Sequence, residues 1–489
     1  MKKNKTNYTK AAACLVLLFV AGIAFLSRAR IGTHITDLGK ALPFFSCLPF
    51  AGMLLCIAVL PLMKPRWWER HKKFVVLFWS ALFLIPFAID FGFGNAASHL
   101  LQVVVGDYLT FIVLLLGLFC VSGNISLEGD LVGSPKVNVL LLLLGTLLSS
   151  WIGTTGASMV MIRPIIRANK WRNRKVQIMI FFIFLVSNIG GCLTPVGDPP
   201  LLMGFMRNVP FFWSFHLLPI FLFNVIVLLV LFFILDTRAY KKDIASGLKP
   251  RKKLEHAPLK IVGGHNIIFL LAIVLAVILS GVLPKTDLFT TASGAVRGIP
   301  IFKGITLSFP SIIEIVIILL AAFLSFKTTK SKVREDNNFN WDPIKEVAIL
   351  FIGIFITMIP ALLILESRGA ALGLTQPAEM FWATGALSSF LDNTPTYLVF
   401  LTTAGALGTS AVGGIATTVG TIAPKMLMAI SCGAVFMGAN TYIGNAPNFM
   451  VCSIAEQNNI KMPSFFGYLG WSLCCLIPLF LLDMILFFL

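Results

Sequence analysis

Ser187-Asn188-Ile189-Gly190-Gly191-Cys192-Leu193-Thr194-Pro195-Val196-Gly197-Asp198-Pro199-Pro200 breaks into an otherwise apolar region with glycine, proline and oxygen-bearing side chains. Proline removes a backbone donor and glycine loosens the chain, so one regular helix cannot run through it. Upstream stands Leu148-Ser149-Ser150-Trp151-Ile152-Gly153-Thr154-Thr155-Gly156. Both stretches recur. Leu387-Ser388-Ser389-Phe390-Leu391-Asp392-Asn393-Thr394-Pro395 answers the upstream one, and Asn440-Thr441-Tyr442-Ile443-Gly444-Asn445-Ala446-Pro447-Asn448 answers the other. The Leu-Ser-Ser runs are offset by 387 − 148 = 239 residues, and Gly197 and Gly444 by 444 − 197 = 247. Thr194 and Thr441 share the second offset, and Pro210 and Pro463 are separated by 463 − 210 = 253. The slow drift is what loop insertions produce. Polar, Gly/Pro-interrupted segments at matching places in two halves point to the binding site of a secondary transporter.

Composition sets the solvent. Of 489 residues, 57% are hydrophobic and 12% charged, with a mean hydropathy of +0.89. So few charges cannot cover the surface of a water-soluble protein this long. Many apolar runs approach the ~20 residues that cross ~30 Å of hydrocarbon as a helix. The runs are continuously apolar rather than alternating, which selects helices over a barrel. The fold class is therefore an all-α polytopic membrane protein. The net charge of +18 is absorbed by loops that set orientation, and no basic stretch outside the membrane interleaves with aromatics, so nucleic acid is excluded as a partner. The nine cysteines form no Cys-x-x-Cys, and most read as small buried hydrophobes.

About eleven spanning helices are expected, near 11–27, 42–63, 74–92, 108–123, 176–190, 213–236, 265–283, 305–326, 344–364, 423–440 and 464–487. The first reads as a retained transmembrane helix and not a signal peptide, because no small-residue cleavage site stands out. Two apolar stretches, 136–166 and 378–405, carry Ser, Thr and Gly in their middles and read as re-entrant hairpins. This divides the chain into an N-terminal helix and loop (1–40), a first repeat (41–236) with hairpin 136–166 and broken helix 176–209, a basic linker (237–262), and a second repeat (263–489) with hairpin 378–405 and broken helix 423–460. Basic clusters at Lys64–Lys73, Arg163–Lys175, Arg238–Lys260 and Lys327–Arg334 are all cytoplasmic under the positive-inside rule. The hairpins then open from opposite sides, the repeats are inverted, and the N-terminus is cytoplasmic. Arg28, Arg30 and Lys40 oppose this arrangement.

Broken backbone inside a membrane leaves N–H and C=O groups that only protein or a water-filled cavity tolerates. Freed carbonyls and half-helix ends coordinate small cations, and half-helix N-termini attract anions. Na⁺ is hard and wants oxygen ligands. A first site would combine Thr154 and Thr155 with Ser187, Asn188, Thr194 and Asp198. A second would combine Asp392, Asn393 and Thr394 with Asn440, Thr441, Asn445 and Asn448. Asp198 and Asp392 are the expected cation carboxylates, because a charge buried in a membrane is usually functional and partnered. Without a cation each favours its protonated form, so proton and cation can compete for one site. Each also has a plainer reading as an N-cap before proline, and the glycines as close-packing positions. Glu314 and Asp90 read as interfacial. Arg163 and Arg167 read as cytoplasmic, with a lesser reading as substrate-anion contacts.

At these motifs the chain resembles the ion-transporter superfamily, whose members include bacterial sodium/proton antiporters, arsenite permeases, citrate–metal transporters and divalent-anion/sodium symporters. It is most similar to bacterial proteins labelled sodium:proton antiporter or citrate transporter, through Ser187–Gly191, Leu193-Thr194-Pro195, Gly197–Pro200 and Ile152–Ser158. The resemblance implies inverted repeats with hairpins meeting near the bilayer centre, a homodimer, and an elevator-type transport domain. It places Na⁺-binding carboxylates and amides on Asp392, Asn393, Asn188 and Asp198. The chain departs from the antiporter pattern at Gly153-Thr154, where an Asp-Asn pair is expected, and it lacks the Ser-Asn-Thr tips of the divalent-anion symporters.

The first functional expectation is an Na⁺/H⁺ antiporter in the inner membrane. The alternative is an Na⁺-coupled citrate or dicarboxylate symporter, with Thr154, Thr155, Thr394 and hairpin N–H groups on the anion. A passive ion channel is the rival of another class. No phosphate-binding Gly-rich loop or hydrolase motif is visible, so neither a pump, an enzyme nor a cofactor is expected.

Overall fold

The computed structural model describes residues 38–129, 131–249, 260–291, 295–302, 305–337, 339–408 and 413–489. The helix expected at 11–27 lies outside them. Among the described residues, ten helices are long and apolar enough to cross a membrane. The chain is an all-α, multi-pass membrane protein.

Its principal helices are α1 (Leu48–Met63), α2 (Pro65–Phe91), α3 (Phe93–Gly123), α4 (Pro135–Ile152), α5 (Thr154–Ala168), α6 (Val176–Leu185), α7 (Pro199–Met206), α8 (Leu218–Ala245), α9 (Asn266–Val282), α10 (Phe309–Thr328), α11 (Asp342–Arg368), α12 (Pro377–Ser388), α13 (Asn393–Ala406), α14 (Pro424–Met437), α15 (Ala446–Gln457), α16 (Phe465–Cys475) and α17 (Ile477–Asp483). Two compact units result. Of the described residues, one holds those up to 109 and within 300–307 and 346–368; the other holds those within 110–299, 308–345 and 369–489.

The smaller unit packs α1, α2, the start of α3 and most of α11. Leu42, Phe83, Phe87, Ala96, Ile356, Ile359 and Ile364 form its core. Gly52 lies against the Trp79 ring, and Gly353 against Val76 and Met53. Absent side chains thus let helices approach without a hydrophobic drive from lipid.

The larger unit holds every element of the two motifs. Stretch 136–166 is two helices, α4 and α5, joined at Gly153, whose φ of +78° suits glycine alone among common residues. Stretch 378–405 is α12 and α13, joined over 389–392. Each broken helix is a helix, a short 3₁₀ turn and a second helix: α6, Ile189–Leu193 and α7, then α14, Gly438–Asn440 and α15. A Cβ on Gly197 would meet the Gly191 carbonyl, and one on Gly444 would meet the Gly438 carbonyl. Both breaks therefore fold back on themselves where only glycine fits.

Several expectations need correction. The span expected at 423–440 is a 14-residue helix plus a turn, below spanning length, whereas α4 reaches that length by itself. The linker expected from 237 begins as helix, since α8 runs through Ala245. Loops also pair as short strands: Ser126–Glu128 with Lys260–Val262, and Ile415–Thr417 with Gly420–Ile422. Glu314, expected at an interface, is buried in the second turn of α10, beside Ser280 of α9. Asp90 is half-buried near the end of α2.

The Arg163–Lys175 segment is no simple solvated loop. Arg172 is fully buried and pairs with Asp236 at 2.7 Å and Asp243 at 3.4 Å, both on α8 and both fully buried. Asn138 of α4 and Gln177 of α6 each donate to Asp236 at 2.9 Å. Arg174 pairs with Asp243 at 3.0 Å. The positive-inside count misses this because it weighs cations and ignores the acids opposite them.

Candidate functional site

Asp198 is the centre of the site. It stands at the N-cap of α7, with Pro199 and Pro200 next, where missing N–H groups cost a helix nothing. It is 1% exposed. Its Oδ1 accepts from Thr154 Oγ1 at 3.0 Å and from Asn445 Nδ2 at 3.3 Å. Its Oδ2 accepts from Asn393 Nδ2 at 2.7 Å. Thr154 opens α5, Asn393 opens α13, and Asn445 is the N-cap of α15. Four helix N-termini therefore meet on one carboxylate. Each carries a partial positive charge of roughly half a unit. This explains how Asp198 is held without a base: among the described residues it is in no ion pair.

A relay of amides extends from this point across the two halves of the sequence. Asn445 Nδ2 also lies 3.2 Å from both Ser187 O and Asn188 Oδ1. Asn188 Nδ2 donates to Asn448 Oδ1 at 2.7 Å and to Ile183 O at 2.8 Å. Asn448 Nδ2 donates to Gly438 O at 2.8 Å and Thr441 O at 2.9 Å. The Ser187 and Ser158 hydroxyls bond at 2.9 Å, tying α5 to the first break. These groups are almost wholly enclosed, and buried amides must find partners.

The hairpins are tied to the breaks by the same contacts twice. Thr194 Oγ1 donates to Ser150 O, and Thr441 Oγ1 to Ser389 O. Ser150 Oγ donates to Gly190 O at 2.5 Å, and Ser389 Oγ to Met437 O at 3.2 Å. Thr154 N donates to Gly197 O at 2.9 Å, holding the first tip on the break.

The two sets of residues expected to act separately thus form one network. Thr154, Ser187, Asn188 and Asp198 of the first set bond with, or through, Asn393, Asn445 and Asn448 of the second. Thr194 and Thr441 serve the hairpin contacts. Asp392 stands apart: half-buried, it caps α13 by accepting from Thr394 N at 3.0 Å, and it repels Asp198 without bonding to it. Thr394 bonds back to Asn393 Oδ1 at 3.4 Å, and Thr155 is half-buried on the first turn of α5. Asn440 is buried; its amide donates to Ser389 Oγ at 2.9 Å, but among the described residues its Oδ1 has no donor. Ser150, Ser158 and Ser389 were not among the expected site residues, although the repeated Ser-Ser pairs signalled two of them.

Chemically, the site offers oxygens and amides. Among the described residues no group of three or more His, Cys, Asp or Glu could hold a metal ion. Carboxylate, hydroxyl, amide and freed backbone oxygens suit a hard monovalent cation. The orphaned Asn440 Oδ1 is a buried acceptor of that kind. The converging N–H ends and side-chain amides suit a carboxylate. Residues 39–488 match a family model described as "Putative citrate transport". No curated protein matches the chain.

Proposed function

Since the chain belongs to the "Putative citrate transport" family, we propose that it carries a citrate-like carboxylate across the membrane with Na⁺ as the coupling ion. The observation that carries this reading is the meeting of four helix N-termini and two side-chain amides at Asp198, with no base beside it. Such a place binds carboxylate oxygens through N–H groups and helix dipoles. It already contains Asp198 and, close by, Asp392. A polycarboxylate entering there adds like charge in a region of low dielectric, so it must bring cations to offset it. Asp198 and Asp392 would hold the cation, with amide and hydroxyl oxygens of Asn188, Asn393 and Asn440 around it. Thr154, Thr155, Thr394 and the N–H groups at the hairpin tips would hold the substrate.

Na⁺/H⁺ antiport is the second reading. It is favoured by Asp392, whose half-buried carboxylate, among the described residues, has only its own helix end as a hydrogen-bond partner. There the two carboxylates would take Na⁺ and H⁺ in turn. On either reading the basic segments face the cytoplasm, the hairpins open from opposite sides, and the protein works as a homodimer without a cofactor.

The test is transport in proteoliposomes. Uptake of labelled citrate that saturates and requires Na⁺ supports the symporter. Dissipation of a pH gradient by Na⁺ alone, with no citrate uptake, replaces it with the antiporter. Flux that never saturates makes the protein a channel.

A further inference from the structure

The C-terminal run Ile477–Leu489 contains one ionisable side chain, Asp483. It closes α17, where the chain passes into a π-helical turn, Met484–Phe488. Such turns are rare and cluster at functional sites. Asp483 is fully buried and belongs to no part of the network at Asp198. Among the described residues it is in no ion pair.

Its partner is Asn224 of α8, also fully buried and 259 residues away in sequence. Asn224 Nδ2 donates to Asp483 Oδ1 at 2.8 Å, to Asp483 Oδ2 at 2.9 Å, and to Ile220 O at 2.8 Å. Asn224 Oδ1 is buried and, among the described residues, has no donor. The C-terminal turn around the pair is largely aromatic. Phe381 packs on Phe480 and Phe488, Phe223 on Phe487, and Trp382 Nε1 is taken by Met484 Sδ.

No nearby charge compensates the carboxylate either. From Leu218 to Leu235, α8 has no ionisable residue. On α12 the one such residue is Glu379, exposed and bonded to the backbone at its own helix start. The adjoining α16 contributes Tyr468, Cys474 and Cys475. From α14, Cys432 lies within electrostatic reach, while Lys425 is exposed about two turns away. The pair therefore has an unfilled acceptor on the amide and an uncompensated charge on the acid. A proton on the carboxyl group removes the charge, and with a turn of one side chain its O–H becomes the donor that the amide oxygen lacks.

We propose that Asp483 and Asn224 form a proton-binding site inside the membrane, separate from the carboxylate site. Proton uptake there, with a turn of one side chain that brings the carboxyl O–H to Asn224 Oδ1, adds a second bond between α17 and α8, and proton release leaves only the bonds from Asn224 Nδ2. The inference does not depend on which substrate is carried.

The full-length purified protein tests it without substrate. Infrared difference spectra between acid and alkaline buffer should show a protonated carboxyl band that is lost as pH rises. Asp483→Asn should delete that band. The thermal midpoint of the wild type should fall from acid to alkaline buffer by more than that of Asp483→Asn, whose amide pair carries no proton to lose. Asn224→Leu keeps the acid and should retain the carboxyl band at a shifted frequency, which tests the pairing if Asp483→Asn folds poorly. A band that is equally present at all pH values, or is unchanged in both variants, overturns the proposal. Since no substrate is involved, that failure leaves the carboxylate reading of Asp198 untouched.

Discussion

Asp198→Asn keeps the shape of the side chain and removes its charge, so it isolates what the carboxylate does. The native group accepts from Thr154, Asn445 and Asn393 through its two oxygens. An amide has one oxygen. Keeping that oxygen toward Thr154 and Asn445 turns its NH₂ against the NH₂ of Asn393, donor facing donor. The reverse orientation loses two bonds, so the first is the cheaper. At least one bond to a charged group is then lost, worth about 1.5–3 kcal/mol. That cost falls on stability and should be read as a lower unfolding midpoint, while Na⁺ affinity should fall because the cation loses its charged ligand. The assay is the Na⁺ concentration dependence of citrate uptake in proteoliposomes. The double variant Asp198→Asn/Asn393→Asp places a carboxylate opposite the new amide and should recover part of the loss. Wild-type Na⁺ dependence and turnover in Asp198→Asn would refute the idea that this carboxylate couples ion to substrate. Failure of the swap in a well-folded protein would refute the pairing with Asn393.

Three further outcomes are expected. Arg172→Met leaves Asp236 and Asp243 buried with fewer partners and should destabilise the larger unit by about 3–5 kcal/mol, read as a lower unfolding midpoint in detergent; an unchanged midpoint makes the buried cluster energetically idle. Asp392→Asn should leave stability within a few tenths of a kcal/mol, because Asn caps a helix about as well as Asp, while Na⁺ coupling is lost; intact coupling removes Asp392 from the ion site. Thr194→Val and Thr441→Val each strip a donor from a hairpin carbonyl and should each cost about 1–3 kcal/mol; if only one variant is less stable, the two hairpin contacts are not equivalent.

How much of this was legible in the sequence follows from what each signal encodes. The breaks were visible because Gly191, Gly197, Pro195 and Pro199 forbid a regular helix whatever surrounds them. The hairpin tips were visible because Gly153 and Asp392-Asn393 interrupt apolar runs. The bonds that unite the halves were not, since Asp198–Asn393 and Asn188–Asn448 join residues 195 and 260 apart, and periodicity is local. Arg172 looked like one more loop cation, although Asp236 and Asp243, about two helical turns apart on α8, were a signal that a base lies opposite. Asp483 is legible by the rule that an ionisable residue in an apolar span is usually functional, but no cluster of glycine and proline marks it as the two motifs are marked. The strands Ser126–Glu128, Lys260–Val262, Ile415–Thr417 and Gly420–Ile422 are three residues long, too short to show alternation.

The two halves share a scaffold but not its charges. Gly153 corresponds to Asp392, Thr154 to Asn393, and Asp198 to Asn445, at the same offsets as the serines and threonines around them. Each half therefore supplies one carboxylate, and in a different slot: the first on the cap after its broken helix, the second at its hairpin tip. The neutral cap, Asn445, turns its amide toward Asp198, Asn188 and the Ser187 carbonyl, all of the first half. The charged cap, Asp198, reaches the first residue after each hairpin turn, Thr154 and Asn393. Any movement of one tip relative to the other must then stretch a charge-assisted bond to the same carboxylate. A cation bound at Asp198 competes for the lone pairs that make those bonds. Ion occupancy and hairpin position consequently act on the same atoms. A symmetric pair of aspartates would put two like charges at one point, and a symmetric pair of asparagines would have no charge to couple. On the proposed reading, the observed Asp–Asn asymmetry would give the site one ion-sensitive joint.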